Sequence, residues 1–146
     1  MIDKAWIGRE IGRSVLPIEA GRLRYFAKAI GETNPVYTDE AAAREAGYTA
    51  LPAPPTFLFA ADLDSGATDR MLDGMGIPIS RLLHGEQGFD YLRPVVAGDV
   101  VTVTSTIKDI YDKKGGALEF IELLSEARTG DGELAVRMRA VLVVRN

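Results

Sequence analysis

Four long strand-like runs in the second half of the chain set the tightest limit on what it can fold into. Leu82 to Leu92, Val100 to Tyr111, Ala117 to Thr129 and Glu133 to Val144 are separated by Ala-Gly-Asp, Asp-Lys-Lys-Gly-Gly and Gly-Asp-Gly turns. Connections this short join strands that run in opposite directions, so the runs predict an antiparallel sheet. Val101, Val103, Ser105 and Ile107 fall on one face of their strand, while Glu119, Ile121, Leu123 and Ser125 mix apolar and polar types on one face of the next. Neither face is cleanly polar. Both are expected to be partly covered, one by a helix and the outer face or edge by another subunit.

The first half reads as helical. Between Glu19 and Ile30, Leu23, Phe26, Ala27 and Ile30 recur at the spacing of one helix face, and Gly31 is a natural stop. Asn34-Pro35 then biases the backbone toward a turn, Thr38 is placed to cap a short helix over Asp39 to Ala46, and Gly47 ends it. Leu51 to Pro55 is held extended by its prolines. The run from Thr56 to Leu63 is apolar on nearly every side, as a buried helix would be, although periodicity alone does not separate so short a run from a strand. Gly66 to Pro78, rich in Gly, Asp and Met, reads as a mobile connection of the kind that borders binding sites.

At 146 residues and 47% hydrophobic content the chain supports one sizeable core, so a single domain over 1–146 is expected. A net charge of -4 offers no basic footprint, which sets nucleic acid and anionic membrane aside as partners. The chain has no cysteine, hence no disulfide framework, thiolate nucleophile or Cys-type zinc site. Its first residues carry charges every few positions and no apolar run approaches the roughly 20 residues that span a bilayer, so a cytoplasmic location is expected.

One segment carries chemistry. Tyr25 to Ala42, YFAKAIGETNPVYTDEAA, is a helix that stops at glycine and opens into a Gly-Glu-Thr-Asn-Pro turn. It resembles the hydratase motif of the MaoC-like hot-dog proteins, in which aromatic, helix, Gly-Asp-x-Asn-Pro-apolar-His is the usual order. GYTALPAPPTF at Gly47 to Phe57 and LLHGEQGFDYLRPVVAGD at Leu82 to Asp99 are similar to the N-terminal-type, FAS1-like dehydratase branch. The resemblance implies an α+β fold, an antiparallel sheet wrapped around a central helix, and action on (3R)-hydroxyacyl or enoyl thioesters. It also implies pairing: the branch includes subunits that join a catalytic hot-dog partner, as in mycobacterial hydroxyacyl-ACP dehydratases.

Both catalytic letters of the motif differ here. Glu32 stands at the Asp position and Tyr37 at the His position. Dehydration needs a base for the α-proton, an acid for the departing hydroxyl and donors for the thioester oxygen as enolate charge develops. A phenol with an ordinary pKa near 10 is a poor substitute for imidazole, so Tyr37 is expected to line the substrate pocket. The Glu32 carboxyl reaches about 1.5 Å further than that of Asp, a displacement large enough to cost on the order of 10²-fold in rate. Asn34 is expected to brace the turn beside the substrate.

His84, the only histidine, is the best available base, with Glu32 as its acid. Strand alternation places His84 and Glu86 on one face and Gln87 on the other. One histidine and scattered carboxylates do not suggest a metal site. By resemblance, an oxyanion donor lies near the start of the central helix; Pro54 and Pro55 have no N–H, which leaves Thr56 and the residues after it. Phe57, Leu58 and Phe59 are expected to line an acyl tunnel.

The expected role is an accessory, substrate-binding subunit, needing no cofactor, that takes acyl-CoA or acyl-ACP as a homodimer or beside a catalytic hot-dog chain. The alternatives are a self-sufficient hydratase using His84 and Glu32, a non-catalytic acyl-CoA-binding homodimer, and a hot-dog thioesterase.

Overall fold

The computed structural model describes residues 1–146. Five antiparallel strands form one sheet: β1 (Glu10–Pro17), β2 (Leu82–Tyr91), β3 (Val100–Lys113), β4 (Leu118–Arg128) and β5 (Leu134–Arg145), in the spatial order β1-β3-β4-β5-β2. The last three strands form the expected meander, but the hairpin expected between the first two runs is not made, because β2 pairs with β5 and not with β3. β2 and β1 come from far away in sequence to take the two edges.

β1 is an element the sequence reading missed. Leu16 faces inward and Arg13 and Val15 face solvent, but the inner positions before Leu16 are Gly12 and Ser14 and the outward Val15 is apolar, so no hydrophobic alternation marks the strand in the sequence.

Four α-helices lie outside the sheet: α1 (Ala20–Ala29), α2 (Glu40–Glu45), α3 (Ala60–Ser65) and α4 (Ala67–Met75). In α1, Leu23 and Ala27 are buried and Phe26 meets Phe57 edge-on with ring centroids 5.4 Å apart, whereas Ile30 falls beyond the helix and is exposed. Arg22 grips Asp64 of α3 through two bonds of 2.6 and 2.7 Å, tying the two helices together. The cap of α2 is Asp39, whose carboxylate accepts the Ala42 N–H at 2.8 Å, and not Thr38.

The apolar run from Thr56 is a 3-10 turn over Phe57–Phe59 leading into α3. Phe57, Leu58 and Ala61 are buried, but Leu63 is 67% exposed. The helix therefore covers the sheet with one face, and the expectation of burial all round is corrected.

Gly66 to Pro78 also departs from expectation, since it is mostly helix. Ala67, Met71 and Leu72 of α4 are buried on one face, a stripe diluted in the sequence by three glycines. Gly66 adopts φ +62, which ends α3 and starts α4. Gly74 leaves room for Trp6, whose ring would lie 2.8 Å from an added Cβ.

The core is in two parts. One surrounds Phe57, Leu58, Leu23, Val101 and Val136; the other surrounds Met71, Leu72, Ile107, Ile121 and Leu142.

On the outer face of the sheet, Glu122 accepts from Arg139 Nε at 2.7 Å and from Lys108 Nζ at 3.3 Å, while Arg139 Nη1 reaches Glu86 at 2.6 Å. The Arg139 and Lys108 contacts outweigh burial and hold the Glu122 carboxyl below its ordinary 4.5. Burial of Glu119 acts to raise its pKa, but hydrogen bonds from Asn146 and the Ile2 N–H, with the N-terminal charge and Arg81 nearby, win and lower it. A carboxyl with a depressed folded pKa stabilises the protein above its unfolded value and loses that contribution as pH falls through the folded value. Thermal midpoints measured against pH are expected to fall below about pH 4.5, and Glu122→Gln should flatten that acid limb. An acid limb unchanged by the substitution would show that the network does not set it.

Candidate functional site

The loop after α1 is built from local bonds. Gly31, at φ +71, turns the chain, and the Glu32 N–H closes on Ala27 O at 2.9 Å. The Glu32 carboxylate then accepts the Asn34 N–H at 2.8 Å, and the Asn34 side chain accepts the Val36 N–H at 3.1 Å, with Pro35 opening a 3-10 turn over Pro35–Tyr37. Glu32 and Asn34 thus both brace the turn.

Tyr37 leans from this turn into an open groove of about 450 Å³, shared with Tyr48, Tyr91, Pro55 and Arg93. Burial, then Tyr48, then Glu32, raise the Tyr37 pKa. Burial pushes Tyr91 up to about 12, and its hydroxyl donates to Pro55 O at 2.9 Å. Both phenols stay protonated at neutral pH. They are hydrogen-bond donors there, not bases.

The extended segment before α3 is fixed against the loop after β2, with Ala53 N–H on Val95 O and Ala97 N–H on Leu51 O, each at 2.8 Å. It delivers Thr56 to the surface. The Phe57 N–H is taken by Pro54 O at 2.9 Å, whereas the Thr56 N–H has no partner within the chain.

His84 lies elsewhere. It lines a second, more enclosed cavity of about 230 Å³ between α3 and the sheet, and its ring meets Phe59 edge-on at 5.3 Å. Leu58, Asp62 and Thr68 form the helical wall, and the Asp62 carboxylate accepts the Thr68 hydroxyl at 2.9 Å.

The expected grouping of His84 with Glu86 is corrected. The pairing slips between His84, opposite Leu142, and Glu86, opposite Val141, so Gly85 is an extra residue. A bulge of this kind offsets the alternation by one. His84 and Gln87 consequently line the cavity together, and Glu86 turns to the outer face to meet Arg139. Gly85 suits the position because an added Cβ would come within 2.9 Å of Val143 and 3.1 Å of the Val141 carbonyl.

Phe59 lines the cavity as expected, but Phe57 does not, being packed into the core against Phe26. Glu32 and His84 share neither a cavity nor a hydrogen bond. The sequence reading missed Asp62, Thr68, Ser125 and Gln87 as cavity residues; only the bulge tells which β2 side chains turn inward, and a glycine in a strand is its one signal.

The model of the FAS1-like, dehydratase domain region matches residues 5–138. The chain belongs to this FAS1-like dehydratase family. A UPF0336 protein of Streptomyces avermitilis is 40% identical to it over 99% of this chain and 95% of the relative. Among solved structures, a C-terminally truncated HadBC (3R-hydroxyacyl-ACP dehydratase) complex from Mycobacterium tuberculosis superposes with a TM-score of 0.79 at 23% identity, covering 94% of this chain and 96% of that one. A MaoC-like dehydratase superposes with a TM-score of 0.86 at 23% identity, over 97% of this chain and 43% of that larger one. The chain therefore has the α+β hot-dog fold that its motifs imply.

Proposed function

We propose that this chain is an accessory, substrate-binding subunit of a (3R)-hydroxyacyl-thioester dehydratase, whose chemistry comes from a homologous hot-dog chain carrying the Asp and His of the motif. The observation that carries the reading is the separation of Glu32 from His84. The loop carboxylate braces its own turn while the only imidazole lines the cavity between α3 and the sheet. Taking the α-proton and releasing the 3-hydroxyl as water requires acid and base on one substrate. The self-sufficient alternative places that demand on two groups that do not meet.

The cavity supports substrate binding. Its walls are mostly apolar, and Leu63 and Ile79, exposed by 67% and 64%, rim it on the helical side. An apolar rim beside an unpaired β2 edge suits a second hot-dog chain that covers both. The free Thr56 N–H fits a thioester oxygen at the start of the 3-10 turn that leads into α3.

The test is hydration of a trans-2-enoyl-CoA, followed by loss of the enoyl thioester absorbance, with this chain alone, with a catalytic hot-dog chain alone, and with both. No turnover from this chain and faster turnover from the pair than from the catalytic chain is the expected result. Turnover by this chain alone that vanishes in His84→Ala would overturn the accessory role.

A further inference from the structure

Two serines face each other in the middle of the sheet's inner surface. Ser105 of β3 and Ser125 of β4 are direct cross-strand partners with hydroxyl oxygens 2.7 Å apart. On one side of them lie Val103 and Ala127, which belong to the Phe57 half of the core; on the other lie Ile107 and Leu123, which belong to the Met71 half. The pair marks the seam between the two halves, and the cavity opens over it.

A hydroxyl taken from water into an apolar core is costly unless it is hydrogen-bonded. Two serines carry two O–H protons, and their mutual bond uses one. Neither hydroxyl has another partner in the chain, so one donor remains uncommitted at the cavity floor. At the open β2 side of the same cavity, His84 and Gln87 are exposed and their side chains have no hydrogen-bond partner within the chain. A tunnel for a plain alkyl chain has no use for such groups. An apolar ligand also displaces whatever water satisfies them without replacing its bonds, which costs affinity.

The cavity, at about 230 Å³, is smaller than the roughly 300–1,000 Å³ that encloses a whole drug-sized ligand. It takes a segment of an acyl chain, with the thioester and its carrier outside. We infer that this segment carries an oxygen: the cavity selects acyl thioesters with a hydroxyl or ketone partway along the chain, held by the Ser105–Ser125 pair from the floor and by His84 and Gln87 from the β2 wall. The inference rests on the acyl-thioester reading given above and narrows it to oxygenated chains.

The experiment is calorimetric titration of the full chain with dodecanoyl-CoA and with a set of matched thioesters in which a single hydroxyl or ketone is walked along the chain beyond the position whose hydroxyl the dehydration removes. At one or two neighbouring positions the oxygenated ligand is expected to bind on the order of tenfold more tightly than dodecanoyl-CoA, the size of one buried donor satisfied instead of left open. Hydroxyl and ketone ligands compared at that position show whether the oxygen is held purely as an acceptor. In Ser105→Ala/Ser125→Ala the preference should disappear, and Ser125→Ala alone, which leaves Ser105 intact, should reduce it. Binding of dodecanoyl-CoA with no gain at any oxygenated position would overturn the inference and leave the acyl-thioester reading standing. Binding of none of these thioesters would overturn both.

Discussion

Phe57→Ala is expected to lower the unfolding free energy by about 3–5 kcal/mol, the largest loss from any single truncation proposed for this chain. The ring is 1% exposed and lies among Leu23, Leu58 and Val101 in the larger half of the core. It also takes the edge of Phe26 from α1, and Arg22 sits 5.6 Å above it while holding Asp64 of α3. Removing it leaves a hole where two helices meet the sheet. For a domain of this size the loss is worth a drop of roughly 6–20 °C in thermal midpoint. Chemical denaturation should show the change in midpoint with little change in slope. A variant within about 1 kcal/mol of the parent would mean that the helices close over the gap, and that the contact of α1 with Phe57 is not what fixes them.

Gly12→Val acts by the opposite route. Gly12 of β1 faces α4 so closely that an added Cβ would lie 2.6 Å from the Cβ of Ala67 and 3.7 Å from its Cα. Neither atom can swing aside, because both belong to the helix frame. Overpacking of this kind costs about 1–3 kcal/mol, and relief requires α4 to lift from the edge of the sheet. The expected result is a lower unfolding midpoint together with faster amide exchange in α4 and β1, while exchange in β4 and β5 stays slow. Uniform loss of protection across all five strands would contradict a local cause. Paired substitution with Ala67→Gly should recover part of the loss, since it removes the atom that is struck.

The meander of β3, β4 and β5 was legible in the sequence because alternation and turn chemistry are local signals, and both were strong. The turn around Asn34 was legible for the same reason: an Asn-Pro pair and a preceding carboxylate find their partners within two residues. What could not be read depends on distant partners. The stripe of α4 is short and interrupted by Gly74, whose purpose appears only when Trp6 is placed beside it. The inward turn of Gln87 in place of Glu86 depends on the slip at Gly85, set by pairing with β5. The distance between the roles of Glu32 and His84 is likewise a tertiary fact. Both belong to segments with pocket-like composition, and only the folded chain puts His84 in a cavity while leaving the Glu32 carboxylate on its own turn.

The strand order carries a kinetic consequence. β1 has to wait for β3, and β2 has to wait for β5, which is the last strand made. Until β5 is in place, α3 and α4 have only an incomplete sheet to cover. Loop-closure entropy must be overcome for both edge strands before their contacts contribute. The C-terminal meander is accordingly the part able to form first, and the N-terminal half of the chain spends its synthesis with the apolar faces of its helices uncovered. Until β5 pairs, those uncovered faces and unpaired edges are the part of the chain open to aggregation.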